Sequence, residues 1–125
     1  TFSMHGKGNY PFRKETSDLD IEIQDGTGDE AYLRQLKEVL PELIERTQPD
    51  FIFYLCGVDI LATDKLGRLS CTIKGCKERD RFVLQTCHDL QIPVECSMGG
   101  GYSKEIKYII EAHANTYRAA QEIYF

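Results

Sequence analysis

A carboxylate just past an apolar run, on a turn flanked by glycine, is well placed to hold a cation, and Asp59 is such a residue. It lies in the stretch Cys-Gly-Val-Asp-Ile-Leu-Ala-Thr-Asp-Lys-Leu-Gly-Arg-Leu-Ser, residues 56–70, directly after Phe51-Ile52-Phe53-Tyr54-Leu55. The apolar run reads as a buried strand, and in α/β sheets ligands bind just beyond the C-terminal ends of strands. Asp64 follows five residues later, with no basic residue between the two carboxylates. A second set of groups stands downstream, where the strand-like run Pro93-Val94-Glu95-Cys96-Ser97-Met98 ends in Gly99-Gly100-Gly101-Tyr102. Glycines admit backbone conformations and close approaches denied to other residues. Two adjacent strand ends would then present a carboxylate and a phenol to one crevice, a cation ligand beside a hydrogen-bond donor. The generic alternatives are that Asp59 is a turn residue and that the glycines form a tight loop, and spacing alone leaves both open.

The elements that must position these groups alternate between strand and helix. Thr1-Phe2-Ser3 reads as the tail of a strand, and residues 5–16 as a loop rich in glycine and charge. Leu19-Asp20-Ile21-Glu22-Ile23 alternates apolar and acidic residues, the pattern of a half-exposed strand. Residues 25–30 turn into a helix with Thr27 or Asp29 as its N-cap. That helix carries Tyr32, Leu33, Leu36, Val39, Leu40, Leu43 and Ile44 on one face, and Pro41, which lacks a backbone donor, should kink or divide it. A second helix is expected from about Lys74 to Asp89, with Thr72 at its entry. The last should run from Ser103 to about Tyr124, with Ile106, Ile109, Ile110, His113, Tyr117 and Tyr124 spaced for a single buried stripe. This alternation implies parallel pairing and a three-layer α/β/α fold with a mainly parallel sheet. No internal repeat, low-complexity tract or linker divides residues 1–125.

Composition narrows the function classes. A net charge of −5 leaves no basic patch for direct nucleic-acid binding. No apolar run approaches the roughly 20 residues of a membrane span, and no signal peptide is legible. Five cysteines at irregular spacing do not make a disulfide framework or a zinc-ribbon pattern. They favour reduced, mostly buried thiols in a cytoplasmic protein.

Cys56 to Ser70, Gly99-Gly100-Gly101-Tyr102, and the opening Phe2-Ser3-Met4-His5 with Asn9-Tyr10-Pro11 together resemble the zinc-dependent histone deacetylase family, of the arginase/deacetylase fold. The bacterial and class IV-like branch is the most similar. The resemblance implies that Asp59 is one of three protein ligands of a catalytic Zn2+. Tyr102 would polarise the acetyl carbonyl and stabilise the oxyanion, with Gly99, Gly100 and Gly101 letting the backbone approach the substrate. Tyr10 would form an aromatic wall of the acetyl-lysine channel. The Lys7, Arg13 and Lys14 cluster reads as a solvated loop, with lining of the channel mouth as the alternative. Ser3 and Met4 fall on the segment that supplies oxygen ligands to a structural K+ in many members, and Asp64 would orient the metal ligand. The implied substrate is acetyl-lysine or a related acyl-amine.

The departures from the family pattern carry equal weight. The family's other zinc ligands form an Asp-x-His pair and its proton-transfer residues a tandem His-His, and neither occurs here. The histidines are His5, His88 and His113, none with an aspartate two residues before it. His88 and His113 are expected on helices, in core or helix-surface roles. A strand already under way at Thr1 argues for preceding sequence. The expectation is therefore the C-terminal portion of a deacetylase domain, not competent alone, whose first partner is the N-terminal remainder of that domain. Two alternatives stand beside it: a non-catalytic, truncated interaction module, and an unrelated α/β domain binding a small anion or nucleotide through Gly99–Gly101. The lack of a G-x-G-x-x-G or P-loop pattern counts against the second.

Overall fold

The structure is a computed structural model and describes residues 1–125. The chain runs β1 (Phe2–Gly6), β2 (Leu19–Ile23), α1 (Asp29–Thr47), β3 (Ile52–Leu55), α2 (Ile73–Asp89), β4 (Val94–Ser97) and α3 (Ile106–Tyr124). β1 pairs with β2 in parallel, Met4 opposite Ile21, and β3 pairs with β4 in parallel, Tyr54 opposite Cys96. The parallel pairing expected from the alternation is present, as two separate two-stranded ladders. The edges of β1 and β3 border a cavity of about 1020 Å³, lined by Ser3, Met4, Ile52 and Tyr54 and reaching Asp59 and Gly100.

Helices α1 and α2 cover one face of the strands. Tyr32, Leu36, Leu40 and Ile44 recur every fourth residue along α1 and are buried. Leu36, Leu40 and Ile44 pack with Val83 and Cys87 of α2, over Met4, Ile52, Tyr54 and Val94 of the strands. Each such side chain contributes about 1.5–3 kcal/mol when fully buried. Pro41 does not divide α1, which continues to Thr47. Nor is either expected N-cap used. Gly28 occupies that position, and Asp29 instead accepts hydrogen bonds from the Thr72 amide and hydroxyl (2.7 and 2.6 Å). Thr72 caps α2 as expected, its Oγ1 accepting from the Gly75 amide at 3.0 Å.

Three further expectations fail. His5 and Gly6 belong to β1 rather than to a loop, because the ladder to Glu22 and Ile23 continues through them. The β3 run is not buried on both faces: Ile52 and Tyr54 face the helices, whereas Phe53 and Leu55 are each 75% exposed. Helix α3 begins at Ile106, not Ser103, and its large apolar residues are not its buried stripe. Of the expected stripe, Ile109 packs partly buried against the core and His113 is half-buried, but Ile106, Ile110, Tyr117 and Tyr124 are exposed, while Ala112, Asn115, Thr116 and Ala119 are buried. Small side chains let α3 approach α2 closely, and Thr116 hydrogen-bonds Asp80 of α2. The large residues are thereby turned to the other side. No helix is long and apolar enough to cross a membrane.

Candidate active site

The loop after β3 is tied to the loop after β4 by a continuation of their ladder. The Cys56 amide donates to the Ser97 carbonyl (2.9 Å) and the Val58 amide to the Gly99 carbonyl (3.0 Å). Val58, Ile60, Leu61, Leu69 and Cys71 then anchor residues 56–71 in a core shared with Ile23, Tyr32, Cys76 and Ala112. This is a loop with its own buried floor, which is why Asp59 stands at a defined place beside the glycines.

Gly100 and Gly101 both have positive φ, 62° and 105°. A Cβ on Gly100 would lie 2.9 Å from Asp59 Cβ, and one on Gly101 would lie 2.8 Å from Ile109 Cγ2. Position 100 thus needs glycine because the Asp59 side chain fills the space. Gly99 meets nothing closer than 3.9 Å and is not demanded in the same way. The Asp59 carboxylate is half-buried, lines the cavity between the two ladders, and makes no hydrogen bond within the chain.

Asp64 has a definite partner set. Its Oδ1 accepts from the Leu66 and Gly67 amides, both at 2.8 Å, and its Oδ2 from the Tyr102 amide at 2.7 Å. Asp64 therefore orients the backbone of Tyr102 rather than the Asp59 carboxylate. Thr63 and Ser103 reinforce the junction, hydroxyl to hydroxyl at 2.7 Å, next to an isolated bridge between Asp64 and Ser103. The pairing holds residue 103 in extended backbone and delays the start of α3. The Tyr102 ring is 56% exposed and its phenol bonds to nothing in the chain.

Ser3 and Met4 lie on β1 at the same cavity, with Ser3 Oγ sharing a hydrogen bond with His5 Nδ1 at 2.8 Å. Tyr10 stands apart from that cavity. It is 80% exposed and meets Phe12 edge to face. Its loop is nevertheless organised. Lys14 Nζ donates to the carbonyls of Lys7, Asn9 and Pro11, and Asn9 Oδ1 accepts from the Arg68 amide at 2.8 Å. Lys14 is thus a structural cation inside its loop, a role the solvated-loop reading did not anticipate.

Behind the site lies a buried pair that the sequence reading missed. Asp80 is fully buried and accepts from Arg79 Nε (2.9 Å), Tyr54 Oη (2.6 Å) and Thr116 Oγ1 (2.7 Å). Burial opposes the Arg79 charge, but the surrounding oxygens outweigh it and hold the guanidinium's pKa above its ordinary value. Burial likewise pushes the Tyr54 phenol well up. Cys76 and Cys71 are raised to about 11 and about 12, mainly by burial, so both remain thiols at neutral pH. All five cysteines are unpaired.

No cluster of three or more His, Cys, Asp or Glu side chains in the chain could hold a metal ion. Asp59 fits one ligand position, a carboxylate free of internal partners and braced by glycine. His5, His88 and His113 do not join it in any such cluster.

The fold defines the class. The chain superposes on the HDA15 HD domain with a TM-score of 0.71 at 21% identity, covering 96% of this chain and 38% of that one. It superposes on the histone deacetylase Clr3 with a TM-score of 0.74, also at 21% identity, covering 98% and 22%. Those likenesses establish an α/β segment of the arginase/deacetylase fold. Sequence establishes the family. The histone deacetylase domain model matches residues 1–117, and the chain belongs to the histone deacetylase family. It is 42% identical over 124 residues to an uncharacterised Picosynechococcus protein, covering 99% of this chain and 41% of that protein. It is 33% identical over 110 residues to histone deacetylase 2 of Arabidopsis thaliana, covering 86% and 28%. The chain thus spans less than half the length of these relatives.

Proposed function

We propose that this chain is part of a zinc-dependent deacetylase that hydrolyses the acetyl amide of acetyl-lysine or a related acyl-amine. The observation that carries this reading is the joining of two strand-end loops into one unit. Val58 is bonded to Gly99, Gly100 is packed on Asp59, and Asp64 holds Tyr102. In that unit a carboxylate without internal partners and a phenol free to donate are carried on adjoining loops. Asp59 supplies one oxygen ligand, and Tyr102 donates a hydrogen bond to the oxygen on which negative charge develops. One such donor is worth about 3 kcal/mol in a preorganised site. A bound Zn2+ supplies Lewis-acid polarisation and a water of lowered pKa. Gly99 to Gly101 leave room for an extended acyl chain, Ser3 and Met4 contribute oxygens to a structural K+, and Tyr10, apart from the cavity in this structure, would wall the channel farther out.

The remaining zinc ligands come from sequence outside these 125 residues. That remainder of the domain is also the proposed partner for the exposed outer side of β3, where Phe53 and Leu55 lie. By itself the chain is then inactive. The lack of a three-ligand cluster is the one observation favouring the alternative, a non-catalytic interaction module. A cytoplasmic setting, consistent with five unpaired cysteines, is part of the same proposal.

The test uses the longer polypeptide. Tyr102→Phe should lower turnover by about 10²–10³-fold with zinc content unchanged, and Asp59→Ala should lower zinc occupancy itself. Unchanged turnover in the first, or full metallation in the second, would remove that residue from its role.

A further inference from the structure

We infer that Arg79 is a positioning residue for the Asp59 loop: from α2 it fixes the Gly57–Val58 peptide and so sets the direction in which Asp59 offers its carboxylate. The inference rests on the proposed role of Asp59 as a metal ligand and adds a residue twenty positions downstream that contacts no ligand itself.

Both polar ends of that peptide are committed. Its carbonyl, on Gly57, accepts from Arg79 Nη1 at 2.7 Å, and its amide, on Val58, donates to the Gly99 carbonyl at 3.0 Å. The peptide cannot rotate without breaking both bonds. Asp59 follows directly, and no hydrogen bond holds its carboxylate, so backbone and packing alone orient it. Gly57 forms one side of its seat, since a Cβ there would lie 2.8 Å from Asp59 Oδ1. Gly100 forms the other, at 2.9 Å from Asp59 Cβ. A shift of the Gly57–Val58 peptide therefore moves the carboxylate against Gly100.

The guanidinium is held so that only one arm is free for this work. Nε and Nη2 both face Asp80 Oδ1, at 2.9 and 2.8 Å, and Nη2 also reaches Cys76 Sγ at 3.5 Å. Nη1 is left for the Gly57 carbonyl. Asp80 in turn is fixed by Tyr54 and Thr116, from β3 and α3. The planar fork is what allows one side chain to bond a carboxylate and a carbonyl in fixed directions. Within the cluster only Arg79 hydrogen-bonds the loop, so it can be separated from members whose role is to hold α2, α3 and β3 together.

The experiment measures zinc affinity by chelator competition in the longer polypeptide, with kcat and KM alongside. Arg79→Gln should weaken zinc binding by about 10–100-fold, the range for residues that orient a metal ligand, and lower kcat with KM little changed. The double variant Arg79→Met with Asp80→Asn removes the buried charges together, the change such cores tolerate best. It still leaves Gly57 without a donor, and should weaken zinc to a similar extent. Thr116→Val should lower the melting temperature yet leave zinc affinity within about twofold, because its bond is to Asp80 alone. Asp59→Ala is the reference and should show the largest loss. Wild-type zinc affinity in either Arg79 variant, with Asp59→Ala impaired, would overturn the inference and leave the ligand role standing. Unimpaired zinc binding in Asp59→Ala would overturn both.

Discussion

The strand-end loops around Asp59 and Tyr102 and the outward side of β3 are left in opposite conditions. At the loops, backbone groups find partners inside the chain: Val58 on Gly99, Tyr102 on Asp64, Gly57 on Arg79. On the outward side of β3, Phe53 and Leu55 lie exposed. An exposed apolar face of this kind marks an interaction surface, whereas a closed hydrogen-bond network marks geometry that needs no further support. On the proposed reading, the difference means that this segment shapes its part of the site without the layer that would cover the outer side of β3. Site geometry and domain completeness are separate properties here.

Removing the tie that makes the loops self-sufficient is the most direct way to break the comparison. Asp64→Ala deprives the Leu66, Gly67 and Tyr102 amides of their acceptor. Hydrogen bonds to a charged group contribute about 1.5–3 kcal/mol each when shielded, and water replaces part of that at the two exposed bonds. The expected loss is about 2–3 kcal/mol in urea unfolding, with faster hydrogen exchange at Tyr102 and Ser103. A loss under about 0.5 kcal/mol would show that buried Val58, Ile60 and Leu61 hold the loop without Asp64.

Much of the first region was legible in the sequence because its signals are local. An apolar run, a carboxylate and a glycine triplet each report on a few neighbouring residues, and β3, β4, Asp59 and the Thr72 cap stand where those signals place them. The errors came where faces compete. Along α3 the large residues are spaced for one stripe, but Ala112, Thr116 and Ala119 form another, and periodicity cannot say which face docks. Small residues gain a close approach to α2, and the bond from Thr116 to Asp80 decides the matter. A signal for the buried pair did exist. Cys76, Arg79, Asp80, Val83, Leu84 and Cys87 follow the helical period and are all buried. Two opposite charges inside that stripe could only be there as a pair. The sequence puts Asp64 near the expected metal ligand, in an orienting role. That it bonds Tyr102 depends on a contact across 38 residues, which no local pattern reports.

The bare face can be tested by a substitution that should matter in one setting only. Leu55 is exposed in this chain, so Leu55→Ser should change the stability of these 125 residues by no more than about 0.5 kcal/mol. In a polypeptide that carries the rest of a deacetylase domain, the same change should cost about 2 kcal/mol, the worth of a buried leucine side chain. Phe53→Ser should behave alike. Equal, small effects in both settings would mean that the face stays bare, and the proposed covering partner would have to be given up.

The smallest expected effect sharpens the comparison from the inside of the site region. Cys76 is fully buried against Arg79, and burial raises its pKa from about 9 to about 11. An acid with a raised folded-state pKa binds its proton more tightly in the folded protein, so its contribution is complete below the unfolded value near 9. That contribution is lost as pH rises through about 11. Unfolding should therefore become easier above pH 9, with Cys76 accounting for about 1 kcal/mol by pH 10. Cys76→Ala lowers stability at every pH through the lost packing, but should flatten this alkaline slope by that amount between pH 8 and pH 10. The outward face holds no buried thiol to add a similar slope, so substitutions there, Leu55→Ser among them, should shift the stability curve without tilting it. A slope left intact in Cys76→Ala would show that the thiol behind Arg79 is reached by water, and that the site's interior is looser than its hydrogen bonds imply.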